Sequence, residues 1–133
     1  MSRPDAGELA AVFAGGVLGT LARAALAQSS AAEPGAWPWA TFAVNVAGAA
    51  IIGAIVTRAH ARVSLAHYRR TLLGTAFCGG LTTFSALQLE LLRMLDRGRL
   101  GLALAYAGTS VACGLAAVAL ASALARRGVP APR

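Results

Sequence analysis

Gly74-Thr75-Ala76-Phe77-Cys78-Gly79-Gly80-Leu81-Thr82-Thr83-Phe84-Ser85 lies inside an apolar stretch that runs from about Thr71 to Leu92. The stretch is long enough to cross a bilayer, which needs roughly 17–25 helical residues. Two adjacent glycines followed by two adjacent threonines interrupt it. In hydrocarbon every backbone N–H and C=O must find a partner, so a helix that breaks at membrane depth does so inside protein. Such breaks expose carbonyls that suit a cation. The hydroxyls and the aromatic ring edge that follow suit an anion. The run points to an ion-handling membrane protein.

Composition agrees. Hydrophobic residues make up 57% of the 133 residues and charged residues 13%, against about 45–50% and 25% in soluble domains. The length suits a single transmembrane domain over residues 1–133. All twelve basic residues are arginine, and the net charge is +7. A nucleic-acid surface would show a basic stripe with interleaved aromatics; here the arginines sit between apolar stretches, and no nucleic-acid partner is expected. Cys78 and Cys113 lie in apolar segments at a spacing that fits no zinc or redox motif. They read as small packing residues, and His60 and His67 as solvated linker residues. The first segment has acidic Asp5 and Glu8 near its start and lacks a basic n-region with a cleavage site, so it is expected to remain as a membrane helix.

Four segments stand out, at roughly 9–27, 39–57, 71–92 and 100–125, which gives an all-α membrane protein of four transmembrane helices with a break in the third. Pro34, Gly35 and Pro38 separate the first two, and a charged turn separates the last two. Trp37 and Trp39 read as interface anchors, because indole rings favour the headgroup level. Small residues are dense: Gly15 and Gly19, Ala49 and Gly53, then Gly101, Gly108 and Gly114. Close helix packing accounts for them.

Packing does not account for every polar residue. Thr41, Asn45 and Gly48 follow i, i+4, i+7 spacing and share one helix face. Asn45 reads either as interhelical glue or as a donor to an anion path. Thr82, Ser85 and Gln88 line one face of the second half of segment three, with Phe84 one step round; Tyr106 and Ser110 share a face of segment four. Neutral donors of this kind suit a dehydrated anion that must bind and also leave. Arg23 either snorkels to the interface or gathers anions in a vestibule. Glu90 either pairs with an arginine or caps a vestibule. The run from Gly74 to Gly79 lacks the Lys-Ser/Thr ending of a phosphate-binding loop.

Together these residues resemble the Fluc (CrcB) fluoride channel family. The motifs that carry the resemblance are Gly15-Gly16-Val17-Leu18-Gly19-Thr20-Leu21-Ala22-Arg23, Thr41-Phe42-Ala43-Val44-Asn45-Val46-Ala47-Gly48 with Gly53, Gly79-Gly80-Leu81-Thr82-Thr83-Phe84-Ser85, and Tyr106 with Ser110. The resemblance implies an antiparallel dimer in the cell membrane, passive fluoride export, and a structural sodium ion on the two-fold axis. It assigns that ion to the backbone carbonyls of Gly79 and Thr82. It assigns the fluoride pathway to Asn45, Phe84, Ser85, Tyr106 and Ser110. The family's second pore phenylalanine is Leu87 here, and the hydroxyl residue before it is Ala86.

With the N-terminus inside, Arg3, Arg58, Arg62, Arg69, Arg70, Arg126, Arg127 and Arg133 are cytoplasmic, while Arg93, Arg97 and Arg99 are outside. Eight against three favours one fixed orientation. The second subunit of an antiparallel dimer would then be an opposed paralogue rather than an identical chain. Two further readings compete with a conducting channel. One is a non-conducting partner subunit of a heterodimer, left open by Leu87 and Ala86. The other is a small multidrug exporter, which needs a carboxylate deep in the first helix; none follows Glu8 there. No nucleophile–base pair or metal cluster suggests an enzyme.

Overall fold

The computed structural model describes residues 5–29, 36–59 and 65–127, with side chains described at 5–28, 36–58 and 71–127. Five helices follow in order: α1 (Ala6–Ser29), α2 (Trp39–Ala59), α3 (Leu65–Leu81), α4 (Phe84–Asp96) and α5 (Leu100–Arg127). They make four spans long and apolar enough to cross a membrane, because α3 and α4 together form the third. The expected break falls at Thr82 and Thr83.

Local chemistry sets the helix ends. At α1 the Glu8 N–H donates to Asp5 Oδ1 (2.8 Å) and the Asp5 N–H to Glu8 Oε2 (3.1 Å), a reciprocal capping box. Pro38 caps α2 by accepting the Phe42 N–H at 3.1 Å. The α4 C-terminus closes through Gly98, at φ 69°. There the Gly98 N–H donates to Leu95 O (2.8 Å) and the Arg99 N–H to Met94 O (2.9 Å). This paired closure needs a left-handed residue, which glycine adopts without cost, and α5 starts at once. The helices overrun the apolar segments at their polar ends. In particular α3 starts at Leu65, so His67 is helical rather than in a linker.

Glycine contacts fix the packing. A Cβ at Gly15 would strike the Leu73 carbonyl, one at Gly19 the Phe77 carbonyl, and one at Gly80 the Gly16 carbonyl. α1 and α3 therefore run parallel at backbone contact. A Cβ at Gly53 would lie 2.9 Å from Val118 O on α5, and Ser122 Oγ donates to Gly53 O at 3.2 Å. Gly74 takes the Ile55 side chain. The packing expectation holds for Gly15, Gly19 and Gly53, and Gly74 and Gly80 of the third segment, to which it did not extend, pack as closely. At Gly101, Gly108 and Gly114 an added Cβ meets nothing, so close packing inside the chain is not their purpose.

The core is small and lies at one end. Met94, Ala103 and Tyr106 are buried, with Trp37, Phe42, Leu87, Leu91 and Leu102 packed around them. Trp37 stands edge-on to Tyr106 at 5.2 Å and to Phe42 at 5.8 Å, arrangements that favour aromatic pairs. Trp37 is half-buried against this cluster, whereas Trp39 stays exposed. Large apolar side chains such as Phe13, 75% exposed, cover the outside, as a lipid-facing surface requires.

Neighbouring glycines of α1 give a direct test. Gly19→Ala should destabilise the protein by at least about 2 kcal/mol, since its methyl overlaps backbone. Gly16→Ala meets open space and should be neutral or slightly stabilising. Thermal unfolding of both variants in detergent checks this; equal midpoints would contradict the packing.

Candidate functional site

The break needs partners for the backbone groups that leave the helix, and they come from three elements. Asn45 of α2 supplies two: the Thr83 N–H donates to Asn45 Oδ1 at 2.8 Å, and Asn45 Nδ2 donates to Thr83 O at 3.1 Å. Arg23 of α1 supplies a third: its Nε donates to Gly80 O at 3.0 Å, across 57 residues of sequence. The break supplies the rest. The Thr82 N–H and hydroxyl both donate to Cys78 O at 2.9 Å. Thr83, in extended conformation at φ −149° and ψ 116°, accepts the Ala86 N–H on its hydroxyl at 3.2 Å and so caps α4.

Comparison with an unbroken helix shows which oxygens are left. The Thr83 N–H would have reached Gly79 O, and the Ala86 N–H would have reached Thr82 O. Both are diverted. The carbonyls of Gly79 and Thr82 therefore accept no hydrogen bond among the described residues, and so does that of Leu81 between them. Gly79 and Thr82 line an open recess of about 470 Å³ with Asn45, Gly48, Thr83 and Phe84. Gly79 is exposed, and an added Cβ there meets nothing.

The face expected to carry Thr41, Asn45 and Gly48 is present and runs along the broken segment. Gly48 receives the Thr82 side chain, Asn45 holds Thr83, and Thr41 reaches Glu90, donating its hydroxyl to Oε1 at 2.6 Å. The Tyr106 hydroxyl donates to Glu90 Oε2 at 2.8 Å. Glu90 thus ties α2, α4 and α5 together through two hydroxyls. Sequence reasoning offered it an arginine or a vestibule and missed this cluster; the available signal was the hydroxyl of Thr41 on the Asn45 face.

The remaining site residues fall into separate places. Phe84 opens α4 and is 72% exposed. Ser85 is exposed, with its hydroxyl 3.3 Å from that of Thr83. Tyr106 is fully buried, and its single O–H is spent on Glu90. Ser110 has a buried hydroxyl without a partner among the described residues, a polar group that costs free energy until something bonds it. Arg23 is half-buried; its Nε is engaged, while its terminal nitrogens make no hydrogen bond among the described residues. Leu87 packs onto the Tyr106 cluster. The structure thus joins Asn45, Gly79, Thr82 and Phe84 at one recess and Thr41, Glu90 and Tyr106 in one cluster. Ser110 stands apart from both.

Four apolar spans, the third of them broken beside a recess lined by Asn45, Gly79, Thr82 and Phe84, define a multi-pass membrane protein. The chain belongs to the family described as CrcB-like protein, Camphor Resistance (CrcB), whose model matches residues 10–122. It is similar to the fluoride-specific ion channel FluC 1 of Mycolicibacterium paratuberculosis, with 56% identity over 127 residues and 96% of each chain covered. FluC 1 of Mycobacterium tuberculosis shows 54% identity with the same coverage. FluC of Stutzerimonas stutzeri shows 44% identity over 87% of this chain and 94% of its own.

Asn45→Leu orphans the N–H and C=O of Thr83 at once, at about 1–3 kcal/mol each. Thr41→Val removes one of the two donors to Glu90. Asn45→Leu should therefore lower the thermal midpoint in detergent clearly more than Thr41→Val. The reverse order would show that the break holds without the amide.

Proposed function

We propose that this chain is a subunit of a fluoride-specific ion channel that exports fluoride passively across a bacterial plasma membrane, and is not an enzyme. One observation carries the reading: a helix break in mid-span, held by the Asn45 amide, the Thr83 hydroxyl and Arg23, that leaves the carbonyls of Gly79 and Thr82 without a donor among the described residues beside an exposed phenyl ring. The names of relatives at 54–56% identity over nearly the whole chain support the choice of ion.

What the recess leaves open supports a dimer. Gly79 presents a bare backbone face, and free carbonyls at membrane depth need company. An antiparallel second subunit would bring its own Gly79 and Thr82 to the same place. Two carbonyls from each chain would then face one another, a set of neutral oxygens that fits a hard cation such as sodium. The chemistry that ion would supply is cohesion between subunits; it is not the transported species. Phe84 and Ser85 would line the fluoride path, with Asn45, Tyr106 and Ser110 supporting it from behind. A phenyl edge carries partial positive charge, so Phe84 can face a bare anion without trapping it. Arg23 and Glu90 would border the vestibule.

Liposomes holding the assembled protein should release fluoride and retain chloride; equal chloride efflux would refute the reading. Phe84→Ile keeps the bulk and removes the ring edge, so fluoride flux should fall by at least about 100-fold while assembly persists. Unchanged flux would make Phe84 a packing residue.

A second reading concerns the partner. α2 and α5 finish at the same end, in Arg58 and in Arg126 with Arg127. The Gly53–Val118 contact fixes that alignment. Arg69 and Arg70 of α3 lie at that end too, because Gly74 packs on Ile55. Arg93, Arg97 and Arg99 sit at the other. This grouping favours insertion with the N-terminus inside, and so a partner of opposed orientation. A reporter on the C-terminus should give a cytoplasmic signal alone, with efflux only on co-expression of a second family member. Equal signals from both sides, or efflux from the lone chain, would indicate a homodimer.

A further inference from the structure

We propose that Arg23 is a positioning residue that decides which carbonyls of the break stay open to a cation. The inference rests on the sodium reading above and deepens it. The carbonyls of Gly79, Gly80, Leu81 and Thr82 all lose their helical donors at the break. One of them, Gly80 O, accepts a charge-assisted bond from Arg23 Nε at 3.0 Å, a class of bond roughly twice as strong as a neutral one. An oxygen so engaged is a poor ligand.

The placement is built. Gly80 lies against the Gly16 carbonyl and has Thr20 N 2.9 Å from the position its Cβ would take. α1 therefore passes close enough for Nε, rather than the tip of the guanidinium, to reach the carbonyl one turn further along. Arg23 then acts in two opposed ways. Its hydrogen bond fixes the break so that Gly79 and Thr82 face the recess, and its positive charge weakens the cation that those oxygens attract.

The two effects separate by substitution. In Arg23→Gln the amide nitrogen occupies the position of Arg Nε, so the donor stays and the charge goes. Arg23→Met loses both. The full chain, in a Cys113→Ala background, provides two readouts. One is the sodium concentration that half-maximally stabilises the dimer against heat, with N-methylglucamine as the replacement cation. The other is maleimide labelling of Cys78, a thiol 4% exposed and adjacent to Gly79, which reports the break without reference to sodium.

Arg23→Gln should keep Cys78 protected and lower the sodium midpoint by at least about threefold. Arg23→Met should raise Cys78 labelling at least about tenfold and raise the midpoint. Should Arg23→Met fail to fold, Arg23→Gln decides alone: an exposed Cys78 or an unlowered midpoint would overturn the proposal. Wild-type Cys78 protection in a folded Arg23→Met would overturn it as well. A wild-type dimer without sodium dependence, in which Arg23→Met still unmasks Cys78, would instead sink the sodium reading and leave Arg23 as the clamp of the break.

Discussion

The paired hydrogen bonds between the Asn45 amide and the backbone of Thr83 are the interaction on which the rest of the structure depends. A break in a span strands backbone groups in a medium that offers them no water. A side-chain amide is uncharged and answers one N–H and one C=O together. With Thr83 held, the chain runs extended for a residue and restarts as α4, and its own hydroxyl caps the new helix. Of the remaining carbonyls, that of Gly80 is bound by Arg23, while Gly79 and Thr82 line the recess. The α1–α3 glycine contacts serve the same end, since without backbone contact at Gly16 and Gly80 the arginine would not reach.

Much of this was legible in the sequence, because hydrocarbon makes each polar residue conspicuous. The Gly79-Gly80 and Thr82-Thr83 pairs gave the break within two residues, and the spacing of Thr41, Asn45 and Gly48 gave the face that meets it. The Gly15–Gly19 spacing marked α1 for close packing, though not α3 as its partner. Other features were not legible for equally physical reasons. Glu90 finds its partners through the crossing of α2, α4 and α5, a long-range geometry that no local spacing encodes. Trp37 carries the same local signal as Trp39, and only the turn at Pro38 sends one inward and leaves the other exposed. The early start of α3 was hidden because a polar helical turn outside the bilayer has no apolar period to read.

Leu87 shows how a departure from the family pattern can be absorbed. It packs with Trp37, Phe42 and Leu91 around Met94 and Tyr106, so a leucine there meets an apolar cluster and leaves no polar group exposed. The aromatic density of this end of the molecule lies instead in Trp37, Phe42 and Tyr106, within 5.2–5.8 Å of one another through Trp37. That packing holds the Tyr106 hydroxyl on Glu90. The single exposed aromatic at the break is Phe84, and any anion contact by a ring edge near the recess falls to it.

The two adjacent glycines of the break answer to different constraints. Gly80 faces inward, where a methyl would meet the Gly16 carbonyl and the backbone of Thr20, so its lack of a side chain serves the fold of this chain. Gly79 faces outward, where a methyl would meet nothing. A glycine in a helix interior costs roughly 0.5–1 kcal/mol relative to alanine, and among the described residues no contact at Gly79 offsets that cost. A partner that needs a bare backbone there would offset it. In the proposed dimer that is the facing Gly79 of the second subunit, brought near enough for carbonyls to share a cation. A substitution at Gly80 should therefore damage the folded chain, whereas Gly79→Val should leave the chain folded and abolish its assembly and flux. Separating the monomer's thermal unfolding from dimer formation distinguishes the two, and a Gly79→Val protein that still dimerises and conducts would remove the reason for placing the subunit interface at this face.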